Sequence, residues 1–450
     1  MAGCTASADE VRPPEDVLSF PSGLAISPDE SVLFVANANS ELRYDSGSIS
    51  VIDVGVVRAA IFGWDGGLGQ AQAGCEVEAG HPETLVCDEA DFMVTSAGVR
   101  IGNFATDIAL QDFGDGKYRV FVPTRGDPSI AWADFVDGKL DCNVGSERFE
   151  LCDDAHRLSQ LENDPDLDAI PEEPFGVFAD GPSGVAMVTH LSTGAVSLIA
   201  APPPGGDGPA NVRVVDVRSG FFNLDANNTV GATSIVGRPS GPGATDPRDL
   251  IYVGSRTDRR VQTFTVGTLP LPDPDVAPVA TEPAYLLPSN YFLLTEVGNV
   301  VGSSTDTRGM QFSPDGTLYL VNRQPPSLQL YDTTLGPTGF PKNVGIGGTD
   351  ICRQASTVAV FNNGDGERAY VSCFQDGQLY VIDRRELDQP EDILLVGRGP
   401  YSVVGAGSVG NQQLLFVSNF LEDTIAVVDV TPGSATYNRV VLRMGKPRVP

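Results

Sequence analysis

Cysteine is the residue type whose spacing points most directly to a chemistry in this 450-residue chain. After Cys4, the other six form three pairs close in sequence: Cys75 with Cys87, Cys142 with Cys152, and Cys352 with Cys373. The midpoint of each pair falls in a turn or loop, and residues facing each other across a hairpin lie symmetrically about its turn. Facing Cβ atoms are close enough to be bridged. The spacing therefore predicts three disulfides, although other pairings of the six cysteines stay open.

Zinc binding is the competing interpretation of the cysteines. No C-x-x-C motif occurs, and the only histidines, His81, His156 and His190, are scattered, whereas structural zinc sites use closely spaced ligands. The aspartate-glycine turns also lack the spacing of a calcium loop. We therefore expect surface histidines, no metal and no cofactor. Because disulfides persist in oxidising compartments, we also expect a periplasmic, secreted or surface-anchored protein.

The odd cysteine lies in the N-terminal sequence Met1-Ala2-Gly3-Cys4. This sequence resembles the end of a bacterial lipobox, where small residues precede the cysteine that receives lipid. The charged and apolar segments of a signal peptide do not precede it here. We interpret residues 1–15 as a polar tether in which Cys4 is either the lipidation site of an outer-membrane or surface anchor, or a free thiol.

The chain is strongly acidic, with 59 Asp and Glu against 29 Lys and Arg and a net charge of −30. Such a surface repels phosphate backbones and anionic lipids, so nucleic acid is excluded as a partner and membrane contact is expected only through a lipid. No apolar run is long enough to span a bilayer. No window predicts a long amphipathic helix, the best candidate being residues 155–161.

One strand pattern recurs seven times. It consists of an apolar strand, a turn, a second strand ending in a small or polar residue, a connection and a third strand, as in residues 21–54. The central residues of the second strands are Val35, Val122, Val188, Val253, Leu320, Val371 and Val417. The later spacings match the roughly 40–50 residues of a four-stranded propeller blade. The earlier spacings leave room for insertions.

These repeats predict an all-β fold in which residues 16–450 form one seven-bladed β-propeller of four-stranded antiparallel blades. The insertions fall at about 55–98, 137–172, 200–230 and 267–300, and the first two are pinned by cysteine pairs. The proline-rich insertions are expected to run as surface meanders outside the strand ladders. Residues 16–20 and 437–445 are expected to supply outer strands where the chain ends meet.

The repeats resemble those of the YVTN-type propellers, in which a strand close to Tyr-Val-Thr-Asn follows a Ser-Pro-Asp-Gly turn. Matching strands lie at 33–37, 251–255, 318–322, 369–372 and 415–419, and matching turns at 27–30 and 313–316. The resemblance covers about residues 16–445. It implies the seven-bladed, lactonase-like fold, but family members include lactonases, cofactor-dependent oxidoreductases and surface binding proteins, so it implies no single activity.

The residues entering the first strands should ring one mouth of the central tunnel. Alignment of the repeats places Arg308 and Tyr401 in one ring, Asp107 in the next, and Arg353 just outside. These four are the candidate ligand-binding residues, either for a water or small polar ligand or as solvated lining. No histidine joins them, and no catalytic residue is assigned.

The sequence favours an extracytoplasmic, non-catalytic binding or assembly module over an enzyme. We expect a surface lipoprotein that presents its loops to a protein or glycan partner. Trp64, in the first insertion, either anchors that partner or folds under its own loop. The alternatives are a lactonase-like hydrolase acting at the tunnel mouth and a self-assembling surface-layer component.

Overall fold

The computed structural model describes residues 10–142, 149–160, 169–204, 212–222, 231–238, 250–270, 281–294, 305–407 and 412–446. Within these ranges the chain forms seven antiparallel sheets that follow one another in sequence. The first strand of each sheet contacts the first strand of the next, and the seventh contacts the first. The ring is therefore closed, and the predicted seven-bladed propeller is confirmed.

The first three blades occupy the N-terminal half. Blade 1 contains β1 (Pro21–Ile26), β2 (Val32–Asn37), β3 (Gly47–Asp53) and β6 (Val99–Ile101). Blade 2 contains β7 (Ala109–Asp112), β8 (Tyr118–Thr124), β9 (Ser129–Val136) and β10 (Lys139–Asp141), and β11 (Arg157–Leu158) also pairs with β9. Blade 3 contains β12 (Pro174–Asp180), β13 (Val185–His190), β14 (Val196–Ala200) and β15 (Arg213–Arg218).

The other four blades occupy the C-terminal half. Blade 4 contains β16 (Ala232–Gly237), β17 (Ile251–Ser255), β18 (Arg260–Pro270) and β19 (Thr281–Leu293). Blade 5 contains β20 (Thr307–Phe312), β21 (Thr317–Arg323), β22 (Pro326–Asp332) and β23 (Val344–Asp350). Blade 6 contains β24 (Ala355–Asn362), β25 (Glu367–Cys373), β26 (Gln378–Asp383) and β27 (Asp392–Leu395). Blade 7 contains β28 (Pro400–Ala406), β29 (Leu414–Asn419), β30 (Thr424–Asp429) and β31 (Arg439–Met444).

The seam between blades 7 and 1 differs from the expectation. Residues 16–20 form no strand, and the backbone N–H of Phe20 instead donates to Asp423 Oδ1 at 2.6 Å. Residues 439–444 do supply the outer strand of blade 7, as predicted. The seam is completed by the first insertion, because its strand β5 (His81–Cys87) pairs in parallel with β31, with Leu85 opposite Leu442. With β4 (Glu76–Glu78), this hairpin extends blade 7 to six strands.

The first insertion also contains the helix α1 (Val54–Trp64), which the sequence did not predict. Its N-cap is Asp53, whose carboxylate accepts from the N–H of Val56, satisfying one of the free donors of the first turn. Short 3-10 turns occupy Asp65–Gly67, Glu89–Asp91 and Asp154–His156. Residues 155–160, the described part of the best helix candidate in the sequence, contain the end of a 3-10 turn and β11 instead of an α-helix.

The proline-rich segment expected to avoid the ladders is also corrected. The long hairpin of β18 and β19 includes Pro270, Pro283 and Pro288. Because β19 is the outermost strand of blade 4, the nitrogen of a proline there can face away from the sheet. No backbone hydrogen bond between strands is then lost. The described part of the predicted 267–300 insertion is thus largely the outer half of a blade.

Apolar side chains between the blades form the core. One cluster joins α1 to blades 1 and 7 through Leu33, Trp64, Leu85 and Phe416, and similar clusters lie between other neighbouring blades. Each blade buries both faces, as stacked repeats must. No described helix is long and apolar enough to cross a membrane.

Candidate functional site

Irregularities at the starts of the first strands shape one mouth of the tunnel. In β1, β12, β16, β20, β24 and β28 the pairing register shifts near the mouth end. A bulge leaves residues out of the ladder and re-aims their side chains. The residues skipped by the register include Phe175, Ser234, Arg308, Ser356 and Tyr401. The same bulge, repeated in six of the first strands, thus directs these side chains into the tunnel.

These side chains line a cavity of about 410 Å³. Three of the four predicted ligand-binding residues, Asp107, Arg308 and Tyr401, lie in its wall. The fourth, Arg353, is exposed and does not line it. Arg353 follows the disulfide-bonded Cys352, and the structure does not bring it together with the other three residues.

Asp107 is the carboxylate that lines the cavity. Its Oδ1 accepts from the N–H of Ile108 at 2.9 Å and its Oδ2 from the N–H of Val177 at 3.2 Å, which ties blade 2 to blade 3. Burial raises the pKa of Asp107 to about 6, and the two backbone hydrogen bonds offset part of that rise. The group therefore changes charge near neutral pH, a property common at functional sites.

Four arginines line the same cavity: Arg125, Arg256, Arg308 and Arg323. Arg308 pairs with Asp306 at 2.6 Å, and Arg125 pairs with Glu173. Arg323 donates through Nε to the carbonyl of Ala355 at 3.0 Å. Within the described residues, neither Arg256 nor Arg323 forms an ion pair. In a protein of net charge −30, this mouth is a local concentration of positive charge.

The arginines are close enough to perturb one another. Burial lowers the pKa of Arg323 to about 10, and the neighbouring positive charges of Arg308 and Arg256 lower it further. The charge of Asp306 and the hydroxyl of Tyr401 oppose part of that decrease in pKa. The pKa of Tyr401 is raised, first by burial, while Arg308 and Arg323 oppose that rise. An anion placed among these guanidinium groups would relieve their mutual repulsion.

Three of the four arginines were missed from the sequence. Arg125, Arg256 and Arg323 each lie three residues after the central residue of a second strand. The second strands end at the mouth where the first strands begin, so residues that follow a second strand also face this cavity. An arginine in three of seven equivalent positions was the available signal.

The cavity also contains hydroxyl groups without partners. Ser234 and Ser356 line it and are at least nine-tenths buried, yet neither Oγ has a hydrogen-bond partner within the described part of the chain. A buried hydroxyl left unsatisfied is costly. These two groups are therefore available to a bound molecule.

Aromatic rings occupy the other side of the mouth. Tyr401 and Phe374 line the cavity, with ring centroids 6.2 Å apart, and Phe420 lies behind them, 5.8 Å from Tyr401. Phe175 lies on the arginine side, where the Arg308 guanidinium is 5.8 Å from the ring centroid. The mouth thus has a cationic side, formed by blades 2, 4 and 5, and an aromatic side, formed by blades 6 and 7.

The three predicted disulfides are confirmed: Cys75–Cys87, Cys142–Cys152 and Cys352–Cys373. They support an extracytoplasmic protein. Cys4 lies outside the described residues. No group of three or more His, Cys, Asp or Glu side chains able to hold a metal occurs in the described ranges.

Two histidines are placed differently from expectation, whereas Trp64 takes the second of its two expected positions, folded under its own insertion. His190 is fully buried and His156 nearly so, with His156 packed on the Trp132 ring. Trp64 is only 9% exposed, and its Nε1 donates to the carbonyl of Glu83 at 3.1 Å. Its ring fills the space between α1 and β5 and is not an exposed anchor.

The fold and the mouth together define a seven-bladed β-propeller with a cationic pocket at one end of its tunnel. The chain is similar to the periplasmic gluconolactonase of Pseudomonas aeruginosa, with TM-score 0.51 and 15% identity over 85% of this chain and 86% of that one. It also aligns with a putative 6-phosphogluconolactonase from Bacteroides fragilis, with TM-score 0.46 and 12% identity over 83% and 86% of the chains.

A further alignment is with virginiamycin B lyase from Staphylococcus aureus, with TM-score 0.46 and 11% identity over 91% and 94% of the chains. No protein-family model matches the chain, and neither does any curated protein sequence. At these identities the similarity establishes the propeller fold, and chemistry must be argued from the site.

Proposed function

We propose that this protein is an extracytoplasmic binding protein whose tunnel mouth holds a small anionic molecule bearing a carboxylate or phosphate group. The observation that carries the proposal is the convergence of four arginines on one cavity of an otherwise acidic protein. Guanidinium groups match the planar geometry of carboxylate and phosphate through paired hydrogen bonds.

The arginine cluster has no structural explanation that accounts for all its members. Arg125 and Arg308 are held by Glu173 and Asp306, whereas Arg256 and Arg323 add charge without a described carboxylate partner. Clustering like charges in a partly buried cavity opposes folding. A bound anion offsets that cost, and the free hydroxyls of Ser234 and Ser356 supply further hydrogen bonds to it.

Calorimetric titration with phosphate, sulfate and small carboxylates tests this proposal. We expect binding that Arg256→Ala weakens by about 10-fold or more, since a hydrogen bond to a charged group contributes about 1.5–3 kcal/mol. The matched control is Arg218→Ala, an exposed arginine of the outer strand β15 that pairs with Asp216 and does not line the cavity. An absence of binding, or equal losses from the two variants, would refute the proposal.

A second candidate function, opening of a lactone by water, is favoured by Asp107. With a pKa of about 6, its carboxylate can accept a proton from water at neutral pH. The resulting hydroxide adds to the lactone carbonyl, and Arg308 or Arg323 stabilises the oxyanion that forms. Collapse breaks the ring C–O bond, the ring oxygen takes up the proton, and the product is a hydroxy acid.

The variant Asp107→Asn separates the two functions. If the mouth only binds anions, removing this negative charge strengthens anion binding at pH 8, because Asp107 no longer repels the ligand. If the mouth is a hydrolase, the same variant loses lactone opening, measured as acid release, by about 100-fold or more. Lactone opening that is unchanged in Asp107→Asn excludes this mechanism.

We also propose that Cys4 carries a lipid that holds the propeller at a bacterial membrane surface. The support is the small-residue sequence Ala2-Gly3 that precedes it. Mass spectrometry of the native N-terminus tests this, and an unmodified thiol would exclude it. Sedimentation of protein lacking residues 1–15 tests the surface-layer alternative, which requires assemblies larger than a monomer.

A further inference from the structure

A second cavity adjoins the tunnel mouth at the same end of the propeller. It has a volume of about 530 Å³ and is formed by loops of blades 6, 7 and 1. We call it the rim groove; its wall includes Phe20, Phe374 and Leu421. Phe374 also lines the tunnel-mouth cavity. The two cavities are therefore neighbours that share one wall residue.

An aromatic row connects the two cavities. Tyr401 lies in the mouth, its ring 5.8 Å from Phe420, and Phe420 lies 5.2 Å from Phe20 in the rim groove. Phe374 lies 6.2 Å from both Tyr401 and Phe420. Phe420 lines neither cavity, and the Phe20 ring is 6% exposed with the Arg43 guanidinium 5.0 Å from its centroid. The rings of the row that face a cavity opposite the arginines are therefore Tyr401, in the mouth, and Phe374, which lines both cavities. Rings of this kind offer flat faces for stacking with little loss of conformational freedom.

The charges of the rim groove differ from those of the mouth. Its two arginines are already engaged: Arg43 with Asp423 at 3.3 Å, and Arg398 with Glu422 at 3.6 Å. Glu41 and Asp376 are further acidic groups of its wall. The groove can thus exchange hydrogen bonds with hydroxyl groups, but it offers no excess positive charge to a second anion.

We infer that the ligand is a glycan fragment whose acidic end residue occupies the mouth and whose next, uncharged sugar residue occupies the rim groove. This inference rests on the proposed function, because it places the anionic group among the arginines. A sugar carboxylate suits the guanidinium groups, its C–H face suits the aromatic row, and the neighbouring hydroxyls suit the paired charges of the groove.

A titration series with three sugars tests the inference: glucuronic acid, a disaccharide of glucuronic acid linked to glucose, and a disaccharide of two glucuronic acids. We expect the mixed disaccharide to bind about tenfold more tightly than glucuronic acid, which corresponds to about 1.4 kcal/mol from the second cavity. The doubly acidic disaccharide should gain less, since the groove already contains carboxylates.

The variant Gln375→Trp isolates the groove. Gln375 is an exposed turn residue of the groove wall, so a tryptophan there blocks the groove without disturbing the core. We expect it to abolish the gain of the mixed disaccharide and to leave glucuronic acid binding unchanged. The control is Gln389→Trp, because Gln389 is exposed in the loop between β26 and β27, at the opposite end of the same blade.

The outcomes separate this inference from the proposed function. Equal affinities for glucuronic acid and the mixed disaccharide would overturn the inference and leave anion binding intact. Failure of every anion to bind in an arginine-dependent way would overturn the proposed function itself. Tighter binding of a peptide with a free C-terminal carboxylate, with the same sensitivity to Gln375→Trp, would identify a peptide site and overturn the glycan assignment.

Discussion

Replacing His190 with glutamine should make the protein markedly more tolerant of acid. The imidazole of His190 is fully buried at the end of β13, and its Nε2 lies 2.8 Å from Ser197 Oγ. Burial lowers its pKa from the ordinary 6.5 to about 4. Glutamine does not titrate, and its side-chain amide can still form a hydrogen bond with Ser197 Oγ.

The sign and size of the effect follow from proton linkage. Below pH 6.5 the unfolded chain protonates this histidine, but the folded protein does so only near pH 4, so acid favours unfolding. Between pH 7 and pH 4 this costs about 3 kcal/mol, since a pKa difference of one corresponds to about 1.4 kcal/mol. The decrease in unfolding free energy over this range should therefore be about 3 kcal/mol smaller in His190→Gln than in the wild type.

Asp107 acts in the opposite direction. Its pKa is raised from 3.8 to about 6, so the folded protein takes up this proton first. Its protonation stabilises the fold by about 2 kcal/mol between pH 7 and pH 4. The two groups nearly cancel in the wild type, and Asp107→Asn should show the steeper loss of stability in acid.

Urea unfolding at pH 7 and pH 4 measures these differences. The wild type is the reference, because the other titrating groups contribute equally to the pH dependence of wild type and variant. The exposed His81 provides a control for the substitution itself, because His81→Gln should leave the unfolding free energy at pH 7 nearly unchanged. If His190→Gln loses as much stability between pH 7 and pH 4 as the wild type does, the linkage argument is refuted.

Three further predictions test the packing. Trp64→Ala should lower the unfolding free energy by about 3–5 kcal/mol, whereas Phe62→Ala, at a residue 82% exposed, should change it by about 0.5 kcal/mol or less, as denaturant titration can measure. Replacing Cys352 and Cys373 together by alanine opens a loop of sequence separation 21 and should lower the unfolding free energy by about 3 kcal/mol. An unchanged unfolding free energy would contradict this prediction. Arg119→Met removes a fully buried guanidinium whose carboxylate partner lies 2.6 Å away; a loss of about 3–5 kcal/mol is expected, and a neutral result would contradict it.

The number of blades and the disulfides could be predicted from the sequence because they depend on local and repeating interactions. The second-strand centres such as Val35 and Val417 recur with the spacing of a blade, and the bridge Cys352–Cys373 joins two ends of one local segment. Alignment of the first strands likewise predicted that Asp107, Arg308 and Tyr401 lie at one mouth, since equivalent positions in a ring of repeats must lie at the same end.

Contacts between distant segments were decided only by the tertiary structure. Pairing of β5 with β31 joins residues near 85 to residues near 442, and no local pattern specifies that partner. The burial of Trp64 follows from that pairing. The convergence of Arg256 and Arg323 with Arg308 depends on the closed ring. Each of these arginines belongs to a separate strand, and they form one site only because the blades share an axis. Sequence periodicity encodes each strand's own neighbours, whereas which insertion covers which blade, and which charges meet, is settled by the packing of the whole chain.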